Sequence, residues 1–414
     1  MSVDVREISL HDAVKFIVDN RGKTVPTADN GIPLIATNCI KNNGLFPVFE
    51  KIRFVSEETY KTWFRSHPEP GDIIFVNKGT PGRVCLVPNP VNFCIAQDMV
   101  ALRVDESVIY PKYLFAALRS DYIQNVIENM HVGTLIPHFK KSDFERLMIP
   151  VPDEVTQKYI GNLYYDLSMA IELNNQINKN LEEMAQAIFK SWFVDFEPFR
   201  DGEFEESELG LIPKGWRVGK LSDVGEIIGG GTPSKSKPEY YSEIGIPWIT
   251  PKDLSINKNK YISRGEIDIS ELGLRESSAR LMPKGTVLFS SRAPIGYIAI
   301  AKNAVTTNQG FKSVVPFENI SSEYIYLLLK NSINEIESRA TGSTFKEISG
   351  GEMKKVPIIL PPKEIIRKFN EIATTLGKTQ ASLEDENSIL MSIRDTLLPK
   401  LMTGEIRVPV EEVV

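Results

Sequence analysis

The stretch IGNLYYDLSMAIELNNQINKNLEEMAQAI, residues 160–188, decides how the rest of the chain is read. Ile160, Leu167, Asn174, Leu181 and Ile188 fall on one heptad position, and Leu163, Ala170, Ile177 and Met184 on the other. The 3-4 spacing holds without a slip, so one seam is apolar and the remaining surface polar. Neither glycine nor proline interrupts the run between Gly161 and Pro198. The pattern predicts one helix over roughly 155–196, and at ~1.5 Å rise per residue it is about 60 Å long. A helix of that length needs a partner for its seam.

The other end of the chain offers one. Phe369, Leu376, Leu383, Leu390 and Leu397 repeat by sevens, with Ile372, Thr379, Glu386 and Ile393 between them. The simplest inference is that the two helices pair within one molecule; the other reading is two amphipathic helices lying on separate cores. Antiparallel pairing places Asn174 near residues 379–386 of the opposite seam. Polar residues there fix register and direction at some cost in stability.

Outward from these helices the chain is a duplication. Gly31-Ile-Pro-Leu-Ile matches Gly245-Ile-Pro-Trp-Ile, an offset of 214 residues. Gly71-Asp-Ile-Ile-Phe-Val matches Gly285-Thr-Val-Leu-Phe-Ser, and Gly82 followed by RVCLV matches Gly296 followed by YIAIA, both at the same offset of 214. Each half then reaches a proline-flanked apolar turn, MIPVP at 148–152 and VPIILPP at 356–362, before its long helix. Short apolar strands between Gly and Pro turns, closed by a helix rich in Leu and Tyr, predict a mostly antiparallel sheet with helices at one side. The fold class is therefore α+β: two duplicated mixed α/β domains separated by two long helices forming an antiparallel coiled coil. The boundaries are a first block at 1–152, a long helix at 153–199, a linker at 200–215, a second block at 216–362, and a second long helix with its tail at 363–414.

Composition is that of a soluble globular protein, 42% hydrophobic and 25% charged. No run of about 18 apolar residues predicts a membrane span, and the start MSVDVREISL has no apolar signal core. Cys39, Cys85 and Cys94 fit no metal spacing, so they read as buried thiols of a reduced, cytoplasmic protein. The net charge of −6 is unevenly spread: residues 1–150 are balanced, 151–215 carry −8, 216–362 carry +4 and 363–414 carry −2. The acid lies in the helical segments and the linker, so either larger block is able to present a basic face.

Chemistry-bearing motifs are missing. Gly22-Lys23-Thr24 lacks the first glycine of a phosphate loop, since Ile17 stands there. Pro361-Pro362 is preceded by Leu360 and followed by Lys363, unlike an adenine methyltransferase motif. Gly229-Gly230-Gly231 reads as a glycine loop, and Glu352-Met353-Lys354 has no partner aspartate upstream that would complete a nuclease site.

Three long stretches carry a resemblance. FKSWFVDFEPF at 189–199, LGLIPKGWRVGKLSDV at 209–224 and IRDTLLPKLMTGEIRV at 393–408, together with the duplication, closely resemble the specificity subunit of type I restriction-modification enzymes. The resemblance covers nearly the whole chain, and the globular blocks match only loosely. It implies that the blocks are target recognition domains, each reading one half of a bipartite site in double-stranded DNA. The paired helices would set the gap and dock two methyltransferase (modification) subunits, and restriction (motor-nuclease) subunits would join them. S-adenosylmethionine, ATP and Mg would belong to those partners, with no cofactor, metal site or catalytic residue in this chain.

Base reading needs Arg, Lys, Asn and Gln on projecting loops, because these offer bidentate hydrogen bonds to base edges. Matched polar loops supply Asn77, Lys78 and Arg83 in the first block and Ser290, Ser291 and Arg292 in the second, with Gln97 and Gln309 recurring. Thr134 and His138 answer Ser343, Thr344 and Lys346, while Thr37, Asn38 and Lys41 answer Thr250, Lys252 and Asp253. Trp192, Phe193, Phe196 and Phe199 lie beside Asp195 and Glu197, where acid repels phosphate. They read as core packing or as partner-docking residues, as do Leu397, Leu398 and Leu401. Two other classes compete: a self-sufficient nuclease or methyltransferase, which the missing motifs oppose, and a coiled-coil scaffold binding only proteins, which needs no matched polar loops.

Overall fold

The computed structural model describes residues 6–20, 23–130, 137–292, 294–342 and 346–408. It forms two compact units, one of residues 1–174 with 386–414 and the other of 175–385. The long helices run Glu154–Phe193 and Lys363–Met402, 40 residues each, and each is divided between the units.

In the first unit a four-stranded sheet is built from Val14–Val18, Met99–Val104, Ile73–Val76 and Val84–Leu86, in that order across the sheet. All four residues of Ile73–Val76 are buried. Alternation explains this, because successive side chains of a strand point to opposite faces and here both faces are covered. Ile73 and Phe75 join Val100 and Leu102 against the helix Pro111–Arg119. Ile74 and Val76 join Met99 and Ala101 against Ile35, Phe93 and Ile95 of the smaller sheet side. That smaller sheet has the order Arg53–Val55, Ile32–Ile35, Cys94–Ile95.

The second unit repeats the plan. Gly225–Gly229, Lys312–Pro316, Val287–Ser291 and Ile295–Ala301 form the main sheet, extended by Tyr261–Ile262. Val287 and Phe289 face the helix Ser322–Asn331, and Leu288 with Ala299 faces the smaller sheet side. The expectation of mostly antiparallel pairing holds, with one exception matched in both units and a further parallel pair, Tyr261–Ile262 beside Ile300 and Ala301, in the second. Leu34 and Ile35 run parallel to Cys94 and Ile95, and Trp248 and Ile249 run parallel to Thr306 and Thr307. Gly82 and Gly296 have φ of +85° and +99°, a region glycine alone enters without penalty, which accounts for their recurrence, the first just before an apolar strand and the second at its start. The linker-like segment 200–215 is ordered more than its composition suggests: Phe204–Ser207 pairs with Gly210–Pro213 as an antiparallel hairpin.

Within each unit the helix segments pair in opposite directions. In the first, the Asn174 amide donates to Asn387 Oδ1 at 3.0 Å in a buried position, while Ile160, Leu163 and Leu167 line one gap with Leu397, Leu398 and Leu401. In the second, Gln380 Nε2 donates to Asn178 O at 3.1 Å, and Phe193 meets Phe369 with ring centroids 4.9 Å apart. The expected seam is corrected in part. Ile177 and Met184 are 44% and 52% exposed, as are Ile372 at 38% and Ile393 at 40%. Tyr164, Ile171, Ala185 and Phe189 are buried instead. In each unit both helix segments pack on that unit's globular core as well as on one another, and the heptad identifies apolar positions without saying which neighbour takes them. Asn174 accordingly meets Asn387, one residue beyond the window its seam predicted.

Candidate nucleic-acid interface

The two polar loops after Ile73–Val76 and Val287–Ser291 are built alike. In the first, the Phe139 amide donates to Asn77 O at 2.8 Å and Asn77 Nδ2 returns a bond to Phe139 O at 3.0 Å. In the second, the Ile348 amide donates to Ser291 O at 3.1 Å. One residue on, Lys78 bridges His138 and Arg292 bridges Glu347, strand-like, at matched places. The loop is thus zipped to a second segment by buried backbone bonds, and the residue after the zip faces outward.

That geometry sorts the predicted contacts. Asn77, Lys78, Gln97 and His138 come together around one cleft of the first unit, with Arg65, Lys140 and Lys141 beside them. Lys78 is exposed, whereas Asn77 is 6% exposed and Ser291 fully buried, so these two hold the loop instead of reaching bases. Ser291 Oγ donates to Gly310 O at 3.1 Å. Asn38 and Lys41 lie off the cleft: Asn38 Nδ2 donates to Glu50 O at 2.6 Å and Lys41 pairs with Glu50 at 3.5 Å. Arg83 does not line the cleft either; its carbonyl accepts from the Val76 amide at 2.9 Å. Thr134, Ser343 and Thr344 lie outside the described residues.

In the second unit, Arg292 Nη1 stands 3.3 Å from Glu347 Oε2, and Lys312 Nζ stands 3.5 Å from Glu347 Oε1 and 3.5 Å from Ser291 Oγ. Gln309 is exposed and accepts from the Thr232 hydroxyl, and Lys346 is exposed next to Glu347. Thr250 caps a helix: it and Asp253 form the capping box that starts Pro251–Ile256. Lys252 is exposed and tied to Glu266 at 2.6 Å. Sequence reasoning missed Arg65, Lys140, Lys141, Lys312 and Glu347. The Lys140-Lys141 pair beside His138 was a usable signal; Arg65 reaches the first unit's cleft, and Lys312 reaches Glu347, only through the fold.

Comparison with known proteins bears on what these loops serve. The family described as Type I restriction modification DNA specificity domain matches residues 3–183 and 213–391, most of the chain and both halves of the duplication. The chain belongs to that family. It is 45% identical over 193 residues to the type I restriction enzyme MjaIX specificity subunit of Methanocaldococcus jannaschii, a match covering 46% of this chain and 44% of that relative. It is 29% identical over 403 residues to the HindI specificity subunit of Haemophilus influenzae, covering 81% of this chain and 86% of that one. A solved specificity subunit from M. genitalium shares the fold, with a TM-score of 0.56, 18% identity and 96% coverage of both chains.

In this specificity-family chain the residues expected to dock partners are largely core. Phe193 and Phe196 are 6% and 8% exposed and pack with Trp216, Tyr324 and Phe369. Leu398 and Leu401 are each 7% exposed within the first unit's core. Burial corrects their assignment: truncating such a Phe removes ~3–5 kcal/mol of packing from the chain itself. Trp192, Phe199 and Leu397 are half-buried at the edges of these clusters. Among the described residues no helix is long and apolar enough to cross a membrane, and no group of His, Cys, Asp or Glu is placed to hold a metal. All three cysteines are free and buried, and burial pushes the Cys94 thiol up to about 12.

Proposed function

We propose that the chain is the DNA sequence-reading subunit of a type I restriction-modification complex, each duplicated domain reading one half of a bipartite site. The observation that carries this is the matched pair of loops: one zip, one register, and different outward residues, Lys78 with His138 in one domain and Arg292 with Glu347 in the other. A shared scaffold with unlike tips suits two unlike half-sites. The long helices serve as an antiparallel coiled-coil spacer that sets the gap. Their exposed apolar residues, Ile177, Met184 and Ile372 in one unit and Leu173, Ile389 and Ile393 in the other, supply docking surface for methyltransferase subunits. Catalysis, with S-adenosylmethionine, ATP and Mg, belongs to those partners and to motor-nuclease subunits.

The test is a map of methylated sites in cells expressing this chain with its cognate methyltransferase. A gapped, asymmetric site is expected, and Arg292→Ala is expected to relax one half-site by ~1–3 kcal/mol while the complex still assembles. A continuous site, or methylation by the purified chain alone, refutes the reading.

A further inference from the structure

We infer that Glu347 is a discriminating carboxylate in the second domain: it holds Arg292 and Lys312 against indiscriminate phosphate binding and yields them only where the correct bases are present. The inference rests on the reading of this loop as a DNA-contacting one.

Glu347 is fixed from both sides. Its amide donates to Thr341 O at 2.9 Å, its carbonyl accepts from the Thr341 amide at 3.0 Å, and its backbone also bridges Arg292. The next residue, Ile348, is fully buried and anchors the segment to Ser291. The carboxylate is therefore positioned by backbone, not by its own rotamer alone. Both of its oxygens are occupied, Oε2 by Arg292 at 3.3 Å and Oε1 by Lys312 at 3.5 Å. Each oxygen thus faces one cation, and the role inferred for the acid is toward those two cations. A side chain at Gly310 would meet Asn308 Oδ1 at 3.0 Å and Pro251 Cγ at 3.3 Å, with Arg292 Nε in ordinary contact at 3.7 Å.

The side chains of Arg292 and Glu347 are 35% and 36% exposed. A pair this wet contributes little to folding, so it acts at the surface, while the Lys312 side chain is 15% exposed. Two cations beside one carboxylate leave a net attraction for phosphate that is smaller than the cations alone would give. Phosphate contact is sequence-independent, and weakening it raises the ratio of specific to non-specific binding. In the first domain His138 stands at the matched position and brings no fixed negative charge to Lys78.

The test uses the full chain in complex with its methyltransferase subunits and measures binding to a cognate duplex and to a random-sequence duplex across a salt series, for native, Glu347→Gln, Glu347→Asp and Arg292→Ala chains. With Glu347→Gln, random-duplex binding is expected to tighten roughly tenfold, with a salt slope steeper by about 1–2, while cognate binding changes far less. Glu347→Asp is expected to restore most of the ratio. Equal tightening on both duplexes, or no change with Glu347→Gln while Arg292→Ala still weakens cognate binding, overturns the inference and leaves the DNA-reading loop standing. If neither substitution moves binding on either duplex, the DNA-reading assignment of this loop falls as well.

Discussion

At the scale of single residues, two helix glycines invert an ordinary rule. Replacing glycine by alanine in an open helix stabilises by ~1 kcal/mol. A Cβ on Gly161 would stand 2.6 Å from Tyr113 N and 2.9 Å from Lys112 C, which are backbone atoms of the Pro111–Arg119 helix. A Cβ on Gly377 would press on the Tyr261 hydroxyl and stand 2.6 Å from Glu323 Oε1, splitting a buried bond of 3.0 Å between them. Overpacking of this kind costs ~1–3 kcal/mol. Both alanine variants should therefore be less stable in denaturant titrations, Gly161→Ala more so because backbone gives way less readily than side chains. A gain in stability for Gly161→Ala would show that the first helix does not seat against that domain as described.

At the scale of elements, the helices are held by buried polar groups on and beside the heptad seam. Asn174 bonded to Asn387 is the first case. Asn174→Leu should cost ~1–3 kcal/mol by taking away a buried partner, whereas leucine at both positions should be near neutral or stabilising with looser register. Denaturation of the two single variants and the double variant gives the coupling directly. The second case lies in the other unit, where Glu182 meets Lys260 at 3.3 Å and Lys330 at 2.7 Å, and Glu384 accepts from the Lys260 and Tyr261 amides. Burial alone would raise the Glu182 carboxyl, but Lys260 and Lys330 outweigh it and hold it at about 2. Burial raises Glu384 to about 7 despite those amides and the nearby Lys302 and Lys260. Lowered Glu182 contributes stability above the ordinary 4.5 that is lost as pH falls toward 2. Raised Glu384 contributes stability below 4.5 that is lost as pH rises through 7. Thermal unfolding should thus show a maximum at mildly acid pH, and Glu384→Gln should flatten the decline on its alkaline side. An unchanged decline in that variant would assign it to another group.

At the scale of the whole molecule, the proposed spacer makes a geometric prediction. Inserting one heptad into each long helix at facing positions preserves the packing phase and adds ~10 Å. The gap between half-sites should grow by about three base pairs while both half-site sequences persist. Methylated-site mapping reads both quantities at once. Changed half-site sequences at a constant gap would remove the helices from the spacing role.

The duplication was legible because it repeats at one offset: the glycines at 82 and 296 need left-handed backbone, and the strands after them alternate between two buried faces. The long helices were legible because 3-4 spacing survives without a break over residues 160–188. The sequence determined by itself the two domains, the two helices and the family, since these rest on local periodicity and on self-similarity that one chain displays. Only the tertiary structure decided which polar residues turn inward and which share a surface. Asn77, Ser291 and Thr250 turned inward to close loops and cap a helix, and Arg65 and Lys312 arrived from distant segments. A residue's type states which bonds it can make, but its burial and its neighbours are set by chain closure over tens of residues, and no local pattern encodes that.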